Sequence, residues 1–359
     1  MIKRNLVLAV CLLLGLLFCG CETLQYYGQA VYGQCSILLK RKPISEIMAD
    51  PATPAFLRER LAYILAVRQF AASELCLPVK NNYLTYVELE RPYVVWNVFA
   101  APEFSLAPKT WCYPVVGCAS YRGYFSDQDA HQFAAGLKDR GYDVYVAGVT
   151  AYSTLGWFDD PVLSTFIQYS KAQSAGLIFH ELAHQVLYVK DDTAFNESFA
   201  TAVEQEGLRR WQEAAADPQI YREYSTGYQR QEEFVHLIAH YRQLLEVLYR
   251  TDAAPSVKRD QKAFIFSQLR NEFDRMNSNE KDLSTYTAWI HQGLNNAKIG
   301  SVAAYHDLVP AFQKMLAQNG GDFNRFYQAC RALGQKKETE RHRILTAYLH
   351  DANVPGIQP

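Results

Sequence analysis

Between Pro54 and Ser73 the chain reads PAFLRERLAYILAVRQFAAS, with apolar residues three and four apart behind a proline. That spacing predicts an amphipathic helix with Pro at its start. From residue 80 to 125 the pattern changes. NNYLTYVELERPYVVWNVFAAPEFSLAPKTWCYPVVGCASYRGYF is rich in Tyr, Val, Trp and Phe and broken by Pro and Gly, which predicts several short strands. A helix is expected over about 126–140, ended by Gly141. YDVYVAGVTAYSTLGWF then alternates as one more strand, up to the turn residues Asp159, Asp160 and Pro161.

Beyond residue 162 or so the periodicity is helical almost throughout. The stretch REYSTGYQRQEEFVHLIAHYRQLLEVLY predicts a long amphipathic helix, and further helices are expected near 258–277, 300–317 and 322–333. A small sheet on the N-terminal side and a helical mass after it define an α+β class. The expected sheet is mixed or antiparallel and packs on a predominantly helical unit. No repeat or linker divides residues 22–359, which read as one domain, sheet-rich over 80–158 and helical over 160–350.

The first residues follow neither pattern. MIKRNLVLAVCLLLGLLFCGCE places Lys3 and Arg4 before an apolar run from Leu6 to Phe18. The run is about 13 residues, short of the roughly 20 that span a bilayer as a helix, and matches a secretory signal over residues 1–20. Phe18-Cys19-Gly20-Cys21 resembles a bacterial lipobox, which implies cleavage before Cys21 and its lipid modification. An ordinary cleaved signal and a simple anchor helix are the alternatives. Glu22 is not the Asp associated with inner-membrane retention, so a periplasm-facing lipoprotein of the outer membrane is the favoured location.

Composition narrows the rest. With 49% apolar residues and 13% aromatics in 359 residues, the chain can bury a sizeable core. A net charge of −1 argues against partners bound by phosphate neutralisation, so no nucleic acid is expected. In an oxidising compartment Cys112 and Cys118, flanking YPVVG, are expected to form a disulfide. A metal-binding role for that pair lacks a neighbouring Cys or His. Cys35, Cys76 and Cys330 have no assigned pairing.

The chemistry concentrates in IFHELAHQ, residues 178–185. On the helix predicted by SKAQSAGLIFHELAHQVLYVK, with Ser170 or Ser174 as cap, His180 and His184 lie on one face about a turn apart. Two imidazoles so placed suit one Zn²⁺. Glu181 is rotated away from that face, where it can serve as a general base without being a ligand. Chance supplies such a motif in about 1% of chains of this composition, so a third ligand decides its meaning. FNESFATAVEQEG predicts a second helix, with Glu197 in its first turn and Glu204 seven residues on along the same face. Glu204 can then support a ligand histidine from behind. Glu206 and Glu213 read as exposed helix surface.

H-E-L-A-H-Q followed by N-E-x-F-A-x-x-V-E resembles the gluzincin aminopeptidases. The resemblance implies a zincin-like catalytic unit with one Zn²⁺ on His180, His184 and Glu197, Glu181 as base, and Glu204 behind the ligands. It also implies a peptide substrate, an edge strand such as AYSTLGWF to align it, and a donor to the oxyanion, for which Tyr305 and His306 are candidates. Twelve residues separate His184 from Glu197, fewer than in the main family, and the G-x-M-E-N motif is absent. GCASYRGYF, AYSTLGWFDDP and LNNAKIGSVAAYHDLVPAF are closer to a smaller bacterial family, frequently lipoproteins, whose aminopeptidase activity is itself inferred.

His236 and His240 repeat the four-residue spacing, but Leu237 stands where a base would be, so they read as helix surface. Two rival functions stay open. One is a non-catalytic envelope protein with a structural zinc site; the other is a zinc amidase acting on cell-wall material.

Overall fold

The computed structural model describes residues 23–113, 117–278, 283–302 and 308–350. Cys21, Tyr305 and His306 lie outside them. The class is α+β, with short strands early in the chain and helices before and after.

Helix α1 (residues 23–39) leads into strand β1 (Lys42–Pro43), α2 (Ile44–Ala49) and α3 (Ala55–Ser73). Three small sheets follow in place of one. In the first, β2 (Thr85–Val87) pairs antiparallel with β1 and parallel with β8 (Val162–Leu163). In the second, β3 (Val95–Pro102) is flanked on both sides by antiparallel partners, β6 (Tyr121–Tyr124) and β7 (Tyr142–Val149). Trp96, Val98 and Ala100 alternate inward from β3 and meet Ala130, Ala134 and Leu137 of helix α4 (Asp127–Asp139). The third is a hairpin of β4 (Trp111–Tyr113) and β5 (Gly117–Ala119), in which Cys112 faces Cys118 and the two form a disulfide.

The strand expected through AYSTLGWF ends instead at Val149. The Asp160 carboxylate accepts the Thr154 N–H and hydroxyl and the Ser153 hydroxyl, folding the segment back on itself. Leu155 (φ 53°) and Gly156 (φ 80°) then turn the chain through the left-handed region, which no strand can include. An edge strand for substrate is therefore not formed there.

Helices α5 (Lys171–Val186), α6 (Thr193–Ala214), α7 (Pro218–Tyr249) and α8 (Pro255–Met276) follow, then α9 (Thr287–His291), α10 (Asn296–Val302), α11 (Val309–Gln318), α12 (Phe323–Gly334) and α13 (Glu338–His350). One core joins α3, α5 and α6 to α11 and α12 through Phe70, Phe179, Phe199, Phe312 and Phe326. A second joins α7 and α8 to α9 and α10 around Phe234, Leu269 and Phe273. Each such fully buried side chain stabilises the fold by roughly 1.5–3 kcal/mol, so the helix pair α5–α6 is firmly held.

Candidate metal centre

Helix α5 starts at a reciprocal cap. The Ser170 hydroxyl accepts the Gln173 N–H at 3.2 Å, and the Gln173 side chain accepts the Ser170 N–H at 3.0 Å. Ile178, Phe179 and Leu182 are buried, which turns His180, Glu181 and His184 toward α6 and the cleft beside it. Gly176, one turn before His180, lets α6 come close: a Cβ there would stand 2.9 Å from Glu204 Oε1 and 3.1 Å from Leu208.

Helix α6 begins earlier than its sequence suggests, so Glu197 lies in the second turn. Asp192 is the cap, accepting the Phe195 N–H at 3.0 Å. Its other oxygen accepts from Arg341 Nε at 2.8 Å and Nη2 at 2.5 Å, a pair with side chains only 5% and 3% exposed, and His342 closes on the same carboxylate at 2.9 Å. Asn196 binds the intervening loop from both sides, accepting the Val189 N–H and donating to the Val189 carbonyl, each at 2.7 Å. Asp191 (φ 64°) accepts the Cys118 N–H at 2.7 Å and so ties the disulfide hairpin to this loop. These contacts set the angle at which Glu197 meets α5.

The result is convergence. His180 Nε2 lies 3.3 Å from Glu197 Oε2, and His184 Nε2 lies 3.7 Å from Glu197 Oε1. The two rings stand nearly perpendicular, 86° apart, with centroids 4.8 Å apart. On its far side His180 Nδ1 faces Glu204 Oε2 at 3.1 Å. Among the described residues, His180, His184 and Glu197 form a group that could hold a metal ion, with one ligand atom from each all within 4.8 Å of one another. His236 and His240 are exposed on α7 and belong to no such group.

The donor set fits a cation. A neutral imidazole has one N–H; given to Glu204, it leaves His180 Nε2 as a lone pair aimed at a carboxylate. Only a second proton or a cation makes that arrangement favourable. Burial opposes charge on His180, yet hydrogen bonds donated to Glu197 and Glu204 and the nearby carboxylates raise its pKa well above the usual histidine value. His184 goes the other way: burial, then the His180 charge, lower it to about 4, so it is neutral. Its Nδ1 is buried without a partner, and its Nε2 is too far from Glu197 for a good hydrogen bond. That imidazole offers a lone pair that no donor among the described residues takes up, which suits a cation. Ligand atoms at 2.0–2.2 Å around a tetrahedral ion stand about 3.3 Å apart; the two separations from Glu197 are close to this, and the whole group lies within 4.8 Å.

Glu181 is off the ligand group and on the cleft wall. Burial, countered by His180 and reinforced by Glu197, raises its carboxyl to about 7. Glu204 lines the same cleft of about 850 Å³, whose far wall includes Arg222, Tyr224 and Arg230 of α7. A second cavity of about 430 Å³ opens from His180 and Glu197 onto Phe234, Tyr286, Trp289 and Val302. Two tyrosines that no sequence pattern singles out also feel these carboxylates. The half-buried Tyr121 hydroxyl is raised by desolvation and then by Glu197, Tyr188 and Glu181; Tyr83 is raised well above its usual value by burial and then by Glu181 and Asp160. In a chain with 24 tyrosines no local pattern marks these two.

Two histidines one turn apart on a buried helix, joined by a glutamate from the next helix, define a candidate metal centre opening on a cleft. The chain belongs to the family described as "Putative aminopeptidase", which matches residues 25–345. No curated protein and no solved structure matches it.

Proposed function

We propose that this chain is a zinc-dependent peptidase, aminopeptidase in type, with His180, His184 and Glu197 holding one Zn²⁺. The observation that carries the reading is the pairing of His180: one nitrogen on Glu204, the other turned to Glu197 and His184. Zinc held there supplies a Lewis acid and a water whose pKa is drawn toward about 7.

The chain's own residues do the rest. Glu204 keeps the proton of His180 on Nδ1 and the Nε2 lone pair inward. Glu181 takes a proton from the attacking water and returns one to the leaving amine. The cleft beside Glu181 admits a peptide, and the aromatic cavity beside Glu197 suits an apolar side chain. Tyr305 is the donor to the oxyanion proposed on sequence grounds, and the Tyr121 hydroxyl, near both carboxylates, is a second candidate. Residues 1–20 act as an export signal and Cys21 carries lipid, which holds the enzyme in the bacterial envelope facing the periplasm. Among the described residues no helix is long and apolar enough to cross a membrane.

The test is to incubate the zinc-loaded protein with a mixed peptide library and identify cut bonds by mass spectrometry. Removal of single N-terminal residues supports the aminopeptidase reading; internal cuts make it an endopeptidase. Absence of any cleavage sinks the enzymatic reading.

A further inference from the structure

Among the described residues, nothing covers the outer face of helix α1. Residues 23–39, TLQYYGQAVYGQCSILL, contain no charged residue. At about 100° per residue, Tyr26, Gln29, Gly33 and Ile37 fall on one side and Leu24, Val31, Cys35 and Leu39 on the opposite side. The inner side is fastened to the sheet. Tyr26 stacks under the Arg122 guanidinium at 4.0 Å, Gln29 accepts the Phe125 N–H at 3.0 Å, and Gly33 has the Phe125 ring where a Cβ would stand. The outer side is open: Leu24 is 75% exposed, Val31 62%, Tyr32 78% and Leu39 86%. Surface helices of water-soluble folds carry charge on such a face; this one carries none along about 25 Å.

We infer that this face of α1 lies on a lipid bilayer. Three observations choose lipid over a protein partner. The proposed lipid on Cys21 lies two residues before the helix begins, so the membrane that receives it lies at the α1 N-terminus. Lys40, Arg41 and Lys42 follow the last apolar residue, with Lys40 and Lys42 exposed, as anionic headgroups require. A second apolar element is tied to this helix and to the residues just after it: Tyr152 donates to Gln34, and Arg41 donates to the Asp159 carbonyl at 3.1 Å. The loop between those ties carries Trp157, 70% exposed, and exposed Phe158, residue types favoured at the headgroup level. That loop also reaches the metal-site helix, where Gln185 accepts from Asn82 and stands beside Gly156. Docking thus positions the peptidase cleft relative to the bilayer instead of leaving the body on a free tether.

The inference rests on the reading that Cys21 carries lipid, and one experiment separates the two. The processed chain, with lipid on Cys21, is reconstituted in phosphatidylethanolamine–phosphatidylglycerol vesicles with an environment-sensitive fluorescent amino acid at Val31, at Leu39 or, for reference, at Phe264, which is exposed on α8. Flotation with the vesicles reports anchoring; its absence overturns both readings. Docking predicts blue-shifted emission at 31 and 39, quenched by brominated lipid about threefold more strongly than at 264. Flotation with aqueous emission at 31 and 39 overturns docking and leaves anchoring intact. Shielding without lipid quenching, accompanied by chain-to-chain energy transfer, means that a second copy covers the face and also overturns it.

Discussion

His180 Nδ1 meets Glu204 Oε2 at 3.1 Å across the α5–α6 interface. This contact fixes which nitrogen of the imidazole carries hydrogen and therefore which one faces Glu197. A carboxylate behind a histidine holds the ring in place and makes its other nitrogen more basic.

Glu204→Gln keeps the shape but removes the charge, and is expected to weaken zinc binding about 10- to 100-fold with little loss of thermal stability. Competition with a chromophoric chelator measures this. Unchanged affinity would remove Glu204 from the site's support.

Glu197→Ala should lower zinc affinity far more than Glu206→Ala. Glu206 is occupied by Arg209 and Arg210 at 2.7–2.8 Å and points to neither histidine. Equal affinities by isothermal calorimetry would show that Glu197 is not a ligand.

Glu181→Gln is expected to retain stoichiometric zinc and lose about 10²- to 10⁴-fold in turnover of any working substrate. Metal analysis and a rate measurement on the same sample decide it; full activity would end the base assignment.

Gly176→Ala places a methyl 2.9 Å from Glu204 Oε1. Relieving that overlap should cost about 1–3 kcal/mol and push Glu204 away from His180, so melting temperature and zinc affinity fall together. A loss of stability alone would show that the helices can part without disturbing the site.

Zinc binding should release protons. In the metal-free protein His180 has a raised pKa and holds a proton at pH 7, whereas His184, lowered to about 4, does not. A ligand nitrogen must be free of its proton, so His180 must lose one as the ion enters. Glu181, raised to about 7, gives up part of another. Affinity is therefore expected to climb as pH rises and to level off above the His180 pKa. Calorimetry at pH 7 in buffers of different ionisation enthalpy should count at least about one proton per ion; a count of zero contradicts the assignment.

Much of this site is local and could be seen along the chain. His180, Glu181 and His184 share one helix, and the 3.6-residue period alone brings the histidines together and turns the glutamate aside. Glu197 and Glu204 share the next helix, with the separation of two turns already placing them on one face. What no local pattern contains is the approach of the two helices. That depends on Gly176, on the Asn196 clamp and on Asp192, whose partners Arg341 and His342 stand 149 and 150 residues away. Glycines inside helical patterns, Gly176 on α5 and Gly207 on α6, are the local signs of close packing.

The AYSTLGWF segment shows the opposite limit. Its alternation is that of a strand, yet the Asp160 carboxylate offers its backbone and hydroxyls a turn instead, and nearby polar groups outcompete a ladder that no neighbouring strand completes. By itself, then, the sequence determined the α+β class, the helix that bears the metal-type motif, the disulfide loop and the apolar N-terminal run, because each follows from short-range periodicity or spacing. Only the tertiary structure decided that His180 stands between two carboxylates, that Tyr121 and Tyr83 come within electrostatic reach of Glu181, and that one uncharged face of α1 stays open among the described residues. Those are relations between surfaces brought together by burial, and burial is a property of the whole chain.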